Sequence, residues 1–365
     1  MQRSIFGMLQ SQPVYAFTLK NKNGMEAEFI SLGARITKLL VPDGKGGRRD
    51  VVLGYDSLRA YAGDPYYFGA TAGRVCNRIR GASFSLNNQI HTLNANRAPH
   101  HLHGGENGFS FRLFQGTWSG NDGVTFHYTS PAGEMGYPGE LTAYVTYRLL
   151  KDNALYIEFK ASAKAVRTIA NLTHHSYFNL AGHDAGSVLE HELSVEADFF
   201  TPADEECLPT GEIRRVAGTP LDFRKPKAVG RDLLAPTENL PLYAGYDHNF
   251  VLRDGEDFRL AATLYDPNSG MRMQVETDYP GLQVYSANGM DTTGKEGAVY
   301  APHAALCLEP QFFPDAVHFS HFTQPIVDAW EMRRKTVIYR FDYVEAAAKT
   351  EEKSPSGGER FDKRD

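Results

Sequence analysis

Two histidine clusters, two carboxylates in apolar surroundings and two arginines after a glycine are the residues of this chain with chemical potential. His100, His101 and His103 lie in Ala98-Pro99-His100-His101-Leu102-His103-Gly104-Gly105, and His174 and His175 in Asn171-Leu172-Thr173-His174-His175-Ser176-Tyr177-Phe178-Asn179-Leu180. If the second segment is a strand, His175, Tyr177 and Asn179 share one face while His174, Ser176 and Phe178 share the other. A His-Tyr-Asn face suits a ligand site, although a satisfied structural histidine explains either ring equally well. Glu309 interrupts the apolar run Leu306-Cys307-Leu308-Glu309-Pro310. A carboxylate there is costly unless it is paired, so it is either structurally bonded or a functional base. Asp247, between Tyr246 and Phe250, poses the same choice. Arg74 and Arg78 follow Gly73 and could pin a hydroxyl-rich or anionic ligand, or simply sit at the surface.

A zinc site would need His101 and His103 on one strand face, with His174 or His175 completing three nitrogens. The spacing matches no helix-borne zinc motif, and Cys76 has no C-x-x-C partner. Neither a phosphate-binding P-loop nor a G-x-S-x-G elbow is present, and Gly104-Gly105 opens no evident helix. What remains is acids, histidines, arginines and amides among 19 Tyr and 22 Phe, a set suited to a neutral, hydroxylated ligand that needs no cofactor.

The elements that must position these groups read as strands. Residues 14–19 run through Asn21-Lys22-Asn23-Gly24 into an alternating stretch to Phe29-Ile30, which predicts a hairpin. A second hairpin joins 141–147 to 155–159, a third joins 260–265 to 271–275 through Asp266-Pro267-Asn268-Ser269-Gly270, and 336–341 is expected to close the fold. Helical turns are expected only at 57–63 and 226–234. Many strands without alternating helices predict an all-β, large antiparallel β-sandwich or barrel.

Length and charge bound the rest. A chain of 365 residues suffices for one large all-β domain, and nothing in mid-chain marks a boundary, so 1–344 is expected to be one domain. Residues 345–365 carry eleven charges and one aromatic, which predicts a disordered tail. A net charge of −6 argues against nucleic acid and anionic membrane. Three cysteines form no disulfide framework, and no apolar run approaches a span of about 20 residues. The expectation is a cytoplasmic protein, monomer or homodimer, acting on a small molecule.

Read together, Gly73-Arg74-Val75-Cys76-Asn77-Arg78-Ile79, Leu102-His103-Gly104-Gly105, His175-Ser176-Tyr177-Phe178-Asn179-Leu180, Asp247-His248-Asn249-Phe250, Gln283-Val284-Tyr285, Asn288-Gly289, Gly297-Ala298-Val299-Tyr300 and Cys307-Leu308-Glu309-Pro310-Gln311 resemble the aldose 1-epimerase (galactose mutarotase) family. Each motif is short, but they follow the family's order from about residue 15 to 343. The resemblance implies a β-sandwich with an open sugar cleft, working without metal or cofactor. It places Glu309 as catalytic base and His175 as general acid, with Arg78, His103, Asp247 and Gln283 on the monosaccharide and Asn77 and Tyr177 beside them. Such an acid must be charged, so Asp247 is expected to raise the His175 pKa, and Arg78 to keep Glu309 ionised or to steady O1 as charge develops there. Two departures stand out: His174 and His100 occupy positions where the family commonly has Asn. His174 is expected to alter packing only, and His100 to sit near the site rim. Alternative readings are a hexose-6-phosphate epimerase, which would need a basic clamp, a non-catalytic sugar-binding module, and a metal-dependent hydrolase.

Overall fold

The computed structural model describes residues 1–344, so the expected tail lies outside the described residues. Every hairpin predicted from alternation forms. Gln12–Lys20 pairs with Glu26–Ile30, Glu140–Leu149 with Ala154–Lys164, and Arg259–Tyr265 with Met271–Thr277. The third turn is built by Asp266, whose carboxylate accepts from the N–H groups of Asn268 and Ser269 (both 3.1 Å). The closing strand, Met332–Tyr343, pairs on one side with Ala154–Lys164 and on the other with Met271–Thr277, tying the second and third hairpins into one sheet.

That sheet has nine strands, and a six-stranded sheet packs against it. The six-stranded sheet runs Tyr177–Phe178, Leu306–Gln311, Gly281–Tyr285, Asp247–Leu252, Ala197–Thr201 and Arg214–Arg215. All pairings within both sheets are antiparallel. Ile157, Val337, Tyr339 and Val275 from the larger sheet meet Leu306, Leu308, Leu282, Val284 and Phe250 from the smaller in one buried apolar cluster. This is the layered sandwich expected from the strand pattern. The Tyr339 hydroxyl crosses between layers to donate to the Leu308 carbonyl (3.0 Å), which fixes the strand that carries Glu309.

A five-stranded meander, from Gln2–Leu9 to Arg48–Asp50, packs beside the sandwich. Its first strand was not legible, because an exposed edge strand carries no burial pattern. The predicted helical turn at 57–63 exists as Leu58–Ala62, with the Ser57 hydroxyl accepting from Ala60 N–H (3.3 Å). At 226–234 hydrogen-bonded turns form over 229–234 but no helix does. Lys227–Ala228 instead adds a two-residue strand to the edge of the large sheet, where the Lys227 ammonium donates to Pro220 O (2.5 Å) and Asp232 (2.6 Å). Among the described residues, no helix is long and apolar enough to cross a membrane.

Candidate active site

The two faces of the six-stranded sheet have opposite character, and period-two alternation is the cause. Leu306, Leu308, Leu282, Val284 and Phe250 point into the core, so Cys307, Glu309, Gln283, Tyr285 and Asp247 point the other way. Register then sets the neighbours: Glu309 lies opposite Gln283, and Tyr285 opposite both Asp247 and Cys307. Over this polar face opens a cavity of about 320 Å³, the size class of a small-molecule site. It is lined by all eight residues that the family resemblance places at the site: Asn77, Arg78, His103, His175, Tyr177, Asp247, Gln283 and Glu309.

Backbone segments from outside the sheet supply the opposing wall. Thr173–His175 pairs with Ala70–Ala72, and Arg78–Ile79 with His101–Leu102. Gly104 lets the 73–79 and 101–105 segments touch, because a Cβ there, at φ +88°, would lie 1.7 Å from the Gly73 carbonyl oxygen. This contact brings His103 to Asn77, whose N–H donates to His103 Nδ1 (3.2 Å). The accepting role of Nδ1 leaves the His103 proton on Nε2.

His175 Nε2 stands 3.8 Å from Glu309 Oε1, with side chains 6% and 3% exposed. The imidazole lies between two near-parallel rings, Tyr177 at 5.1 Å and Tyr67 at 6.0 Å, with His103 edge-on at 5.2 Å. Burial among these rings pushes the His175 pKa down to about 4, and Arg35 adds to the lowering against a bond to its own backbone. Burial pushes the Glu309 carboxyl up, and the negative charge of Asp247 adds to it. Both groups are therefore driven toward their neutral forms.

This corrects the expected electrostatics. Asp247 does not raise His175: its carboxylate accepts from Gln283 Nε2 (2.6 Å) and faces Arg78 (3.8 Å). Arg78 accordingly pairs with Asp247 and not with Glu309. Arg74 is no ligand contact either. Its buried guanidinium donates to Pro138 O (3.1 Å), Gly139 O (3.0 Å) and the Ser130 hydroxyl (2.5 Å), stitching loops together.

The two histidine clusters divide as well. His174 faces away from His175, edge-on to Tyr147 at 5.6 Å, with Nδ1 on the Ser176 hydroxyl (2.8 Å). Asn179 does not share the His175 face. Strand geometry breaks at Ser176, and the Asn179 amide donates to Gly186 O and Ala304 O (2.8 and 2.9 Å). His101 is bonded to Asn94 O (2.7 Å) and the Tyr137 hydroxyl (2.6 Å), so the grouping with His103 that a zinc site would need does not form. His100 is buried, accepting from Gly81 N–H (3.1 Å) beside Glu206, and is not among the lining residues.

Sequence reasoning did not assign Tyr66, Tyr67, Arg97 and Tyr285 to the lining. The signal for the first two was Asp64-Pro65-Tyr66-Tyr67-Phe68, an acid leading an aromatic run. Asp64, paired with Arg35 in the core (2.5 Å), accepts from the N–H groups of Tyr66 (2.9 Å) and Phe68 (2.7 Å) and so presents the tyrosines to the cavity.

A sequence profile of the aldose 1-epimerase family matches residues 15–340. The galactose mutarotase of Bos taurus is 41% identical over 343 residues, covering 93% of this chain and 98% of that protein. The aldose 1-epimerase of Escherichia coli K12 is 34% identical over 316 residues, covering 86% of this chain and 90% of that protein. In three dimensions, the GalM/aldose epimerase homologue of Caenorhabditis elegans is similar with a TM-score of 0.84 at 31% identity, covering 91% of this chain and 99% of that chain. The galactose 1-epimerase of Lactobacillus acidophilus is similar with a TM-score of 0.82 at 26% identity, covering 94% and 98%.

Proposed function

The chain belongs to the aldose 1-epimerase family and is an isomerase acting on carbohydrates, and from that premise we propose that it interconverts the α and β anomers of free aldohexoses such as galactose and glucose, with Glu309 as base and His175 as acid. The observation that carries the assignment is the pairing of these two buried side chains at one cavity, His175 Nε2 3.8 Å from Glu309 Oε1. A non-catalytic sugar-binding module has no need of such a pair.

The protonation balance is consistent with this chemistry. A neutral carboxyl beside a neutral imidazole and a carboxylate beside an imidazolium hold the same single proton. Which arrangement prevails is therefore set by the groups around the pair and not by pH. A sugar whose O1 hydroxyl donates to Glu309 favours the carboxylate and leaves the proton on His175, facing the ring oxygen. Glu309 then takes the O1 proton as His175 gives its own to O5. The C1–O5 bond opens to the free aldehyde, C1–C2 rotates, and reclosure on the other face returns both protons. A positioned acid and base are each worth about 10²–10⁴-fold.

Arg78, Asp247 and Gln283 form a bonded row that can hold sugar hydroxyls, His103 offers its Nε2–H, and Tyr177 and Tyr67 offer ring faces. A phosphorylated hexose is less well served, since Arg78 is engaged by Asp247 and Arg97 alone is left at the rim. The test is polarimetry on freshly dissolved α-D-galactose and α-D-glucose with the wild type and Glu309→Gln. Accelerated equilibration that collapses in the variant supports the assignment; equal rates in both proteins remove Glu309 from it.

A further inference from the structure

Behind the acid–base pair lies a third group that the proposed chemistry does not use. Cys307 is on the same strand as Glu309, two residues away and so on the same face. Its Sγ is 3.7 Å from His175 Nδ1. One ligand atom each from His175, Cys307 and Glu309 lie within 4.8 Å of one another, and all three residues are buried. An imidazole, a thiol and a carboxylate so grouped match the donor set of zinc, and three protein ligands with one open position is the arrangement zinc adopts where it also binds a small molecule. Bonds of about 2.0–2.3 Å in a tetrahedral site with one sulfur separate ligand atoms by roughly 3.3–3.5 Å, so closure asks for changes in separation of up to about 1.5 Å, shared between the side chains.

We propose that His175, Cys307 and Glu309 form an inhibitory site for a borderline-soft divalent cation such as Zn²⁺, its fourth position facing the cavity. Occupancy consumes the acid and the base together, so metal and sugar exclude one another; this half of the proposal rests on the function assigned above. Binding releases two protons to solvent, the Cys307 thiol proton and the one shared by the Glu309–His175 pair, and retains the cation through the resulting thiolate. Two of the three ligands line the cavity, so the cation reaches them along the same path as the sugar. The cysteine is what distinguishes the cluster from an ordinary acid–base pair, since a histidine and a carboxylate alone hold zinc weakly.

Cobalt(II) serves as the spectroscopic probe, because a thiolate ligand adds a near-ultraviolet charge-transfer band that nitrogen and oxygen ligands do not. Metal-free full-length protein titrated with Co²⁺ is expected to develop that band at one ion per chain, and Cys307→Ser to lack it. Zn²⁺ is expected to suppress anomer interconversion reversibly with EDTA. The concentration needed should rise about tenfold or more in Cys307→Ser, each protein being referred to its own metal-free rate. Absence of the thiolate band in the wild type overturns the site, whether or not the protein turns over sugar. A band that saturating galactose fails to diminish, with turnover intact, overturns the inhibitory role.

Discussion

Glu309 and Gln283 face each other directly across two antiparallel strands, and Gln283 in turn donates to Asp247, 2.6 Å away. One sheet face thus carries the proposed base, an amide and a second carboxylate in sequence. The negative charge of Asp247 is felt at Glu309, whose carboxyl it helps push up. The residues proposed to hold substrate and the residue proposed to take its proton are electrostatically coupled.

Replacing Glu309 by Gln keeps the shape of the side chain and removes its basicity. The expected loss in kcat is about 10²–10⁴-fold with little change in thermal stability. Polarimetry and a thermal unfolding scan on the same preparation check both halves.

The pH dependence of kcat/KM should be bell-shaped, because only the singly protonated Glu309–His175 pair is competent. Acidification adds a second proton once the His175 pKa, about 4, is reached, so the acid limb should fall near there and not near 6.5. The alkaline limb reports the raised Glu309. An acid limb near 6.5 would show His175 to be titrating as though exposed.

Asp247→Asn removes the negative charge that raises Glu309, so the alkaline limb is expected to move to lower pH. It also frees Arg78 and loosens Gln283, and KM for galactose should rise. A pH–rate profile of the variant with the alkaline limb unmoved would uncouple the two carboxylates.

Asp64→Ala leaves Arg35 buried without its partner and releases the backbone of Tyr66 and Phe68. Removing one member of a buried ion pair costs about 3–5 kcal/mol, which urea unfolding would resolve. A cost below about 1 kcal/mol would mean the pair is not desolvated.

Three further buried histidines make the fold acid-labile. Burial lowers His101 to about 4, His174 to about 3 and His191 to about 4, against about 6.5 in the unfolded chain. A depressed pKa contributes stability that is complete above about pH 6.5 and is lost as pH falls toward the folded value, at about 1.4 kcal/mol per unit for each group. Glu309, raised, acts in the opposite sense. The urea midpoint at pH 5 should therefore lie below that at pH 7; an equal or higher midpoint would contradict the burial of these rings.

The hairpins were legible from the residues alone, the cavity lining only in part. Alternation at 141–147 and 155–159, the Asp266–Gly270 turn and the Ser57 cap are local, and each encodes its conformation in neighbouring side chains. Of the residues lining the cavity, Glu309 and Asp247 were legible because a carboxylate is costly in apolar company, whereas Arg78, His103 and Gln283 were assigned to the sugar through the family resemblance. Gln2–Leu9 and Lys227–Ala228 were not legible, since an edge strand is fixed by the strand it joins and carries little pattern of its own. Tertiary structure alone decided what charge each site residue carries. Arg74 and Arg78 stand four residues apart in one motif, yet one ties loops together in the interior and the other faces the cavity. Asp247 lines the cavity, yet its field acts on Glu309 and not on His175. Desolvation and Coulomb interactions depend on distances across strands far apart in the chain, and no local pattern records them.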